Sequence, residues 1–488
     1  MSKRITIDPI TRLEGHGKVE IFLTDEGDVD NVYFQVPELR GFEKFCEGRP
    51  VEELAQIVTK ICGVCPGCHH MASGKAADAV YGVEPPPTAK KLRELFYMAH
   101  FVHSHIAHFY ALAAPDFVVG PTAPAAERNV LGVINKVGVE IGTEVLKQRR
   151  IAQEIQALLG GHQTHVVMNI PGGVRKGLTA EQRDDIVEKS KGFIEFSKFS
   201  LQVFNDIVLG NETYVDIILN GPYSLKLHSM GMVDENNKVN FYDGKVRVVD
   251  VEGNEHCKYS PNEYMDYVEE RVEPWSYLKF PFLKKIGWKG FVDGQDSGVY
   301  HATPLSRLNA ADGMATPLAQ VEYDRMYETL GGKPVHATLA MHWARLIELL
   351  YSAERALELA EDPEIIGTDL RAPLDNVPNE GVGIVEAQRG TLTHHYWTDE
   401  KGIVTKANIV VGTTNNNAAI CMSLKKAAQG LIKKGVEVND GILNMVEMAF
   451  RAYDPCFSCA THNQPGKMPL VVNFRNKEGE IIRTASRD

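Results

Sequence analysis

Cys62-Gly63-Val64-Cys65 and Cys456-Phe457-Ser458-Cys459 are two Cys-x-x-Cys pairs, with His69 four positions past the first and His462 three past the second. Each pair presents two thiolates to one metal, and a fold that brings the pairs together makes a four-thiolate site. Two other uses of the spacing stand beside this one. Structural zinc takes the same ligands, but it usually staples a short segment that cannot build its own core, and almost the whole chain lies between these pairs. A thioredoxin-like redox motif follows a strand and opens a helix in a βαβ unit, and neither flank has that pattern. The spacing predicts a buried multi-thiolate metal site and leaves the metal open.

The elements that position these pairs are mostly helical. Gly17–Thr24 and Val29–Val36 are β-branched runs divided by Asp25-Glu26-Gly27-Asp28, a hairpin signal. Pro50 opens a helix with Leu54, Ile57, Val58 and Ile61 at helical spacing, so the first pair sits at a helix C-terminus ended by Gly63 and Pro66. Long periodic segments run from Thr88 to about Ala114, Ala125 to about Leu159, Thr179 to about Leu209 and Val335 to Leu359, and most simply form a central bundle. Thr179 and Gln182 make a capping box. Shorter helices follow at about Asn417–Lys434 and Gly441–Ala452, the second leading into Cys456. Lys238–Val251 alternates like a hairpin, and Trp275–Asp312, rich in Gly, Pro and aromatics, predicts an irregular surface layer. The fold class is α+β, mainly α, with small peripheral sheets and a metal site between N- and C-terminal segments.

Composition narrows the function. The 488 residues carry a formal charge of −12, which argues against nucleic acid or an anionic membrane as partner. No stretch approaches 18 uncharged apolar residues and the N-terminus lacks a signal-peptide apolar region, so the expectation is a cytoplasmic protein without direct membrane insertion. Eight cysteines are too few for a disulfide scaffold. Once four hold a metal, Cys46, Cys68, Cys257 and Cys421 remain scattered, with no iron–sulfur motif among them. There is no Gly-x-Gly-x-x-Gly after a strand and no Walker-type Gly-Lys-Ser/Thr.

The longer strings around the pairs resemble the large, catalytic subunit of nickel–iron hydrogenases nearly end to end. They are Asp8-Pro9-Ile10-Thr11-Arg12-Leu13-Glu14-Gly15-His16, Arg40-Gly41-Phe42-Glu43, the two cysteine strings, Pro171-Gly172-Gly173 and Glu386-Ala387-Gln388-Arg389-Gly390, all in the family's order. The resemblance implies that Cys62 and Cys456 are terminal on nickel, and that Cys65 and Cys459 bridge it to an iron carrying carbon monoxide and cyanide. Soft thiolates suit such metals. It further implies that Glu14 relays the proton of heterolytic dihydrogen cleavage from Cys456, and that Arg389, oriented by Asp454, overhangs the open metal face near one cyanide. Thr413 would donate to the other cyanide, and His69 would hydrogen-bond a bridging sulfur. Glu43, His462 and the carbonyl of Ile409 match the ligands of a magnesium (or ferrous) ion near the C-terminus. Spacings of three and five place His100, His103 and His108 together on a helix that also carries His105, for which packing and proton-network roles are expected.

Three departures stand out: Lys60 for an arginine before the first pair, Gln388 for the usual proline before Arg389, and Ser104 where many periplasmic members carry Asp. With Leu112–Phe117 and Thr413–Asn417, the last resembles the cytoplasmic branch that serves a soluble acceptor (NAD(P), a deazaflavin, a disulfide reductase or a bifurcating flavin complex). The expected partners are a small iron–sulfur subunit, further flavin or iron–sulfur acceptor subunits, and a maturation protease. That protease would cut after His462, dividing a single catalytic domain, 1–462, from an extension, 463–488, with a β-hairpin pattern.

Overall fold

The computed structural model describes residues 4–461, 470–476 and 480–487. Four long helices, Pro87–Ala107, Val139–Gly160, Ala180–Phe204 and Met341–Glu361, pack into the expected bundle, with Met341–Glu361 between Pro87–Ala107 and Ala180–Phe204. Its seam is closely filled: Leu92, Leu95, Phe96, Ala99, Leu346, Leu349 and Leu350 are buried. The capping box at Thr179 and Gln182 forms as its spacing predicts. The Ala125–Leu159 segment is not one helix. Asn129 caps Val130–Val137, and Gly138, at φ 96°, breaks it from Val139–Gly160. The Thr88–Ala114 segment continues past Ala107 in wider turns to Val119.

Small sheets surround the bundle. The N-terminal hairpin, Lys18–Leu23 with Val29–Gln35, gains Arg4–Ile7 as a third antiparallel strand. Lys245–Val249 is a strand, but its partners are His228–Val233 and Glu255–Tyr259 rather than residues 238–242, which only bridge to Val233. The Trp275–Asp312 stretch is an irregular, largely exposed layer only over residues 284–296, and its two ends are buried. Lys279–Leu283 is a buried strand paired with Val268–Val272, and Thr303 caps the wholly buried helix Pro304–Ala310. Its aromatic residues tie that layer down, half-buried Trp288 and Phe291 packing on each other and on buried Phe280.

Two elements without a sequence prediction position the site. Helix Pro66–Val80 begins directly after Cys65, which is its N-cap, with Pro66 at the first turn. The antiparallel meander Glu380–Ala387, Gly390–Thr398 and Val404–Val410 lies against that helix. Gly381 and Gly383 allow the approach: a Cβ on Gly383 would stand 2.1 Å from the Ala72 carbonyl oxygen. Strands one and two of the meander are joined by Gln388 and Arg389 alone, a two-residue turn buried in the protein.

The chain closes N-terminus to C-terminus beside the second cysteine pair. Glu14 N donates to Pro455 O and Phe457 N donates to Glu14 O, at 3.3 and 3.0 Å. Gly15 at φ +87° makes the turn, and a Cβ there would meet Ser458 N at 2.9 Å.

Candidate metal centre

The four cysteine sulfurs converge. Cys62 Sγ is 3.3 Å from Cys456 Sγ, Cys65 Sγ is 3.5 Å from Cys459 Sγ, and all four lie within 4.8 Å of one another. Among the described residues this is the only group of three or more cysteine, histidine or carboxylate side chains so gathered. All four are buried, and burial first of all pushes the Cys456 and Cys459 thiols well up. Four thiolates packed this closely need a cation to be anionic together, so the cluster makes chemical sense as a metal site.

Around it the structure gathers the side chains named from sequence. Cys456 Sγ donates to Glu14 Oε2 at 2.9 Å, and Ser458 N donates to the same oxygen at 3.2 Å. Burial, then the charge of Cys62, pushes the Glu14 carboxyl up. Cys456 N donates to Thr413 Oγ1 at 3.1 Å, which leaves the threonine hydroxyl hydrogen free for another acceptor. Arg389 Nη2 donates to Asp454 at 3.0–3.1 Å; burial pushes the Asp454 carboxyl up and Arg389 pulls it back. Asp454 itself sits at φ 53°, an uncommon backbone conformation held by this packing.

Between these groups lies a cavity of about 10 Å³ lined by Cys65, Cys68, His69, Gln388, Arg389, Thr413 and Cys456 among others. It has no room for an organic substrate. Its rim is rich in nitrogen atoms with no protein partner: Arg389 Nε and Nη1, His69 Nε2 and Gln388 Nε2. Unpartnered polar atoms are rare in interiors, and their concentration beside four thiolates fits a metal carrying small acceptor ligands. That set of donors is not what a closed structural zinc site requires.

His69 does not reach the sulfurs within hydrogen-bonding distance. Its Nδ1 is 3.1 Å from His394 Nε2, whose own Nδ1 is 2.6 Å from Tyr396 Oη. Burial holds the His69 imidazole neutral, with its pKa lowered to about 3. Glu43 and the Ile409 carbonyl are brought together through one cation already in the chain. Arg40 Nη2 pairs with the Glu43 carboxylate and donates to Ile409 O at 3.4 Å. His462 lies outside the described residues. The histidine-rich helix holds no ligand cluster: His100 Nδ1 pairs with Gln156 Oε1, His105 Nε2 with Glu348 Oε2, and His108 Nε2 with the Arg451 carbonyl.

Sequence reasoning missed three contributors. Arg40, inside a quoted string, acts as the Glu43 partner. Cys68 donates to Gln388 Oε1 at 2.8 Å, and its position three after Cys65 on a helix was the available signal. Arg307 sits fully buried between Glu386 and Glu348 and also donates to Ala387 O at 2.7 Å, clamping the hairpin that carries Arg389.

The comparisons with known proteins agree with this geometry. A family model described as nickel-dependent hydrogenase matches residues 40–137 and 134–462, and one described as HoxL-like matches residues 4–39. The chain is 50% identical over 482 residues to a component of the F420-non-reducing hydrogenase of Archaeoglobus profundus, described as one of its iron–sulfur subunits, covering 99% of both chains. It is 36% identical to the NAD-reducing hydrogenase HoxS subunit beta of Cupriavidus necator over the full length of both. A crystal structure of an NAD+-reducing nickel–iron hydrogenase in the H2-reduced state superposes with a TM-score of 0.88 at 36% identity, covering 94% of this chain and 99% of that one. The chain belongs to the nickel-dependent hydrogenase family, as its large, catalytic subunit. It is thus an oxidoreductase acting on dihydrogen at a nickel–iron centre, and the zinc reading of the four cysteines is set aside.

Proposed function

We propose that Glu14 is the first carboxylate to receive the proton released at Cys456, and that electrons leave this chain for an iron–sulfur partner subunit, then pass to a soluble acceptor. The observation that carries the first half is the Cys456 thiol donating to Glu14 Oε2 at 2.9 Å. When bound, the metal centre supplies the sites that polarise dihydrogen and accept its two electrons. Cys62, Cys65, Cys456 and Cys459 would hold it through their four thiolates. A half-buried carboxylate whose pKa is raised above its ordinary value, burial being the first cause, is suited to taking a proton and passing it on. Arg389, kept in place by Asp454, would offer its unpartnered Nε and Nη1 to one cyanide on the iron, and Thr413 its hydroxyl to the other.

The second half is supported by what the chain lacks as an electron carrier. Beyond the four site cysteines, Cys46, Cys68, Cys257 and Cys421 are all free and form no cluster among the described residues. Relatives named F420-non-reducing and NAD-reducing hydrogenases favour a soluble acceptor reached through further flavin or iron–sulfur subunits. No helix among the described residues is long and apolar enough to cross a membrane, in keeping with a cytoplasmic site of action. Glu43, Ile409 and His462 would complete a magnesium or ferrous site, with Arg40 moving aside from the pair it now joins. A maturation protease acting after His462 would release 463–488 from a single catalytic domain, 1–462.

Elemental analysis and infrared spectroscopy of the purified complex test this reading. Nickel with iron in excess of it, the excess being the partner's iron–sulfur clusters, is expected together with carbon monoxide and cyanide bands and dihydrogen-dependent dye reduction. Zinc without those bands, in a chain already cut after His462, overturns it.

A further inference from the structure

Gln388 stands at the tip of the two-residue turn, fully buried. Its main chain is fixed on both sides. Arg307 Nη1 donates to Ala387 O at 2.7 Å, and Asn416 Nδ2 donates to Arg389 O at 2.8 Å. Its side chain is fixed at one end only. Cys68, itself buried, donates its thiol to Gln388 Oε1 at 2.8 Å, while Gln388 Nε2 has no partner. Both residues line the small cavity beside the four thiolates.

A primary amide nitrogen carries two donors, and natural interiors satisfy such groups. No protein acceptor meets this one, so its acceptor belongs in the cavity. We propose that the Gln388 amide is a further hydrogen-bond donor to an anionic diatomic ligand of the iron, turned toward it by the Cys68 thiol. This deepens the metal-centre reading above and rests on it. The terminal nitrogen of a metal-bound cyanide is an acceptor of the right size and sign for a cavity this small. The reverse amide orientation would aim Oε1 at that anion and leave the thiol facing a donor, so both neighbours select the same rotamer. The Gln388 amide thus adds a donor to the cavity wall that Arg389 and Thr413 share. The role is one of positioning and tuning, and Gln388 need not touch dihydrogen.

The test is infrared spectroscopy of the whole complex carrying Gln388→Leu or Cys68→Ala. A hydrogen bond at its nitrogen raises a bound cyanide's stretching frequency. Gln388→Leu is therefore expected to lower one cyanide band at unchanged nickel and iron content, leaving the other in place. Cys68→Ala, which frees the amide to turn, should shift the same band less. Bands coincident with the unaltered complex in metal-loaded Gln388→Leu overturn the proposal; if that variant does not load metal, an unmoved band in Cys68→Ala does so. Absence of all such bands from the unaltered complex overturns the metal-centre reading itself, and this donor with it.

Discussion

At the scale of single residues, the site works by pairing a reactive group with one that fixes it. Glu14 is held by its own main chain, which pairs with Pro455 and Phe457, so its carboxylate cannot drift from Cys456. Glu14→Gln keeps that shape and removes the proton acceptor. Dihydrogen-dependent dye reduction should fall by roughly 10²- to 10⁴-fold, the usual worth of a positioned general base. Metal content and infrared bands should stay as they were. Undiminished turnover would assign the relay to another group. Asp454→Ala tests the partner side: a buried Arg389 left unpaired should cost about 3–5 kcal/mol of stability, read from denaturant unfolding, and a loss under about 1 kcal/mol would show that Arg389 finds another anion. The side chains that gather at the four thiolates were legible in the sequence because each belongs to a string of fixed order. Of the residues that hold them Asp454 was legible and Arg307 and Gln388 were not, since nothing in their spacing announces a partner far along the chain.

At the scale of elements, the decisive contact is helix Pro66–Val80 against the meander that runs from Glu380 to Val410. The helix starts at Cys65 and the meander's first turn carries Arg389, so their separation sets the width of the metal site. Gly383 lies in that contact, where a Cβ would fall 2.1 Å from Ala72 O and 2.4 Å from Ala76 N. Main chain cannot yield as a flexible side chain would. Gly383→Ala should therefore cost about 1–3 kcal/mol in denaturant unfolding and lower the nickel bound per chain. Full nickel occupancy at reduced stability would show that the strain is absorbed away from the cysteines. This pair of elements was the part of the fold that sequence patterns concealed. Strand Gly390–Thr398 is buried on both faces over most of its length, so its run Thr-Leu-Thr-His-His-Tyr shows no alternation, and its polar residues find internal partners instead. The helix after Cys65 begins Pro-Gly-Cys-His-His and is buried almost all round, which erases the stripe that marks an amphipathic helix. Of the long bundle helices, Val139–Gly160 and Ala180–Phe204 keep an outer face, whereas Pro87–Ala107 and Met341–Glu361 are buried almost all round and were legible by their length and unbroken helical periodicity.

At the scale of the whole molecule, the unusual property is how many histidines are buried neutral. Burial lowers the pKa of His70, His100 and His105 to about 4, and of His103, His301 and His342 to about 3. Their unfolded value is about 6.5. Below that pH the unfolded chain binds protons that the folded chain refuses, so the stability these groups contribute is complete above about pH 6.5 and is lost as pH falls toward 4. Each adds about 1.4 kcal/mol per pH unit once fully engaged, and the six together approach about 8 kcal/mol per unit, comparable to the whole stability of a typical domain. Buried carboxyls pull the other way. Asp78, Glu386 and Glu447 have raised pKa values, burial being the first cause, so the folded chain takes up their protons first and offsets part of the slope. Thiolate protonation with metal release adds to the loss on acidification, which makes a bulk measurement ambiguous by itself. His342 separates the two effects, because it packs on His108 and Phe117. The urea midpoint of the intact complex should hold steady from about pH 8 to 6.5 and drop steeply below it. In His342→Phe the drop should be shallower by about one histidine's share, with nickel release at an unchanged pH. A midpoint independent of pH down to about 5.5, or a slope untouched by His342→Phe, would mean that these imidazoles take up protons without unfolding the chain.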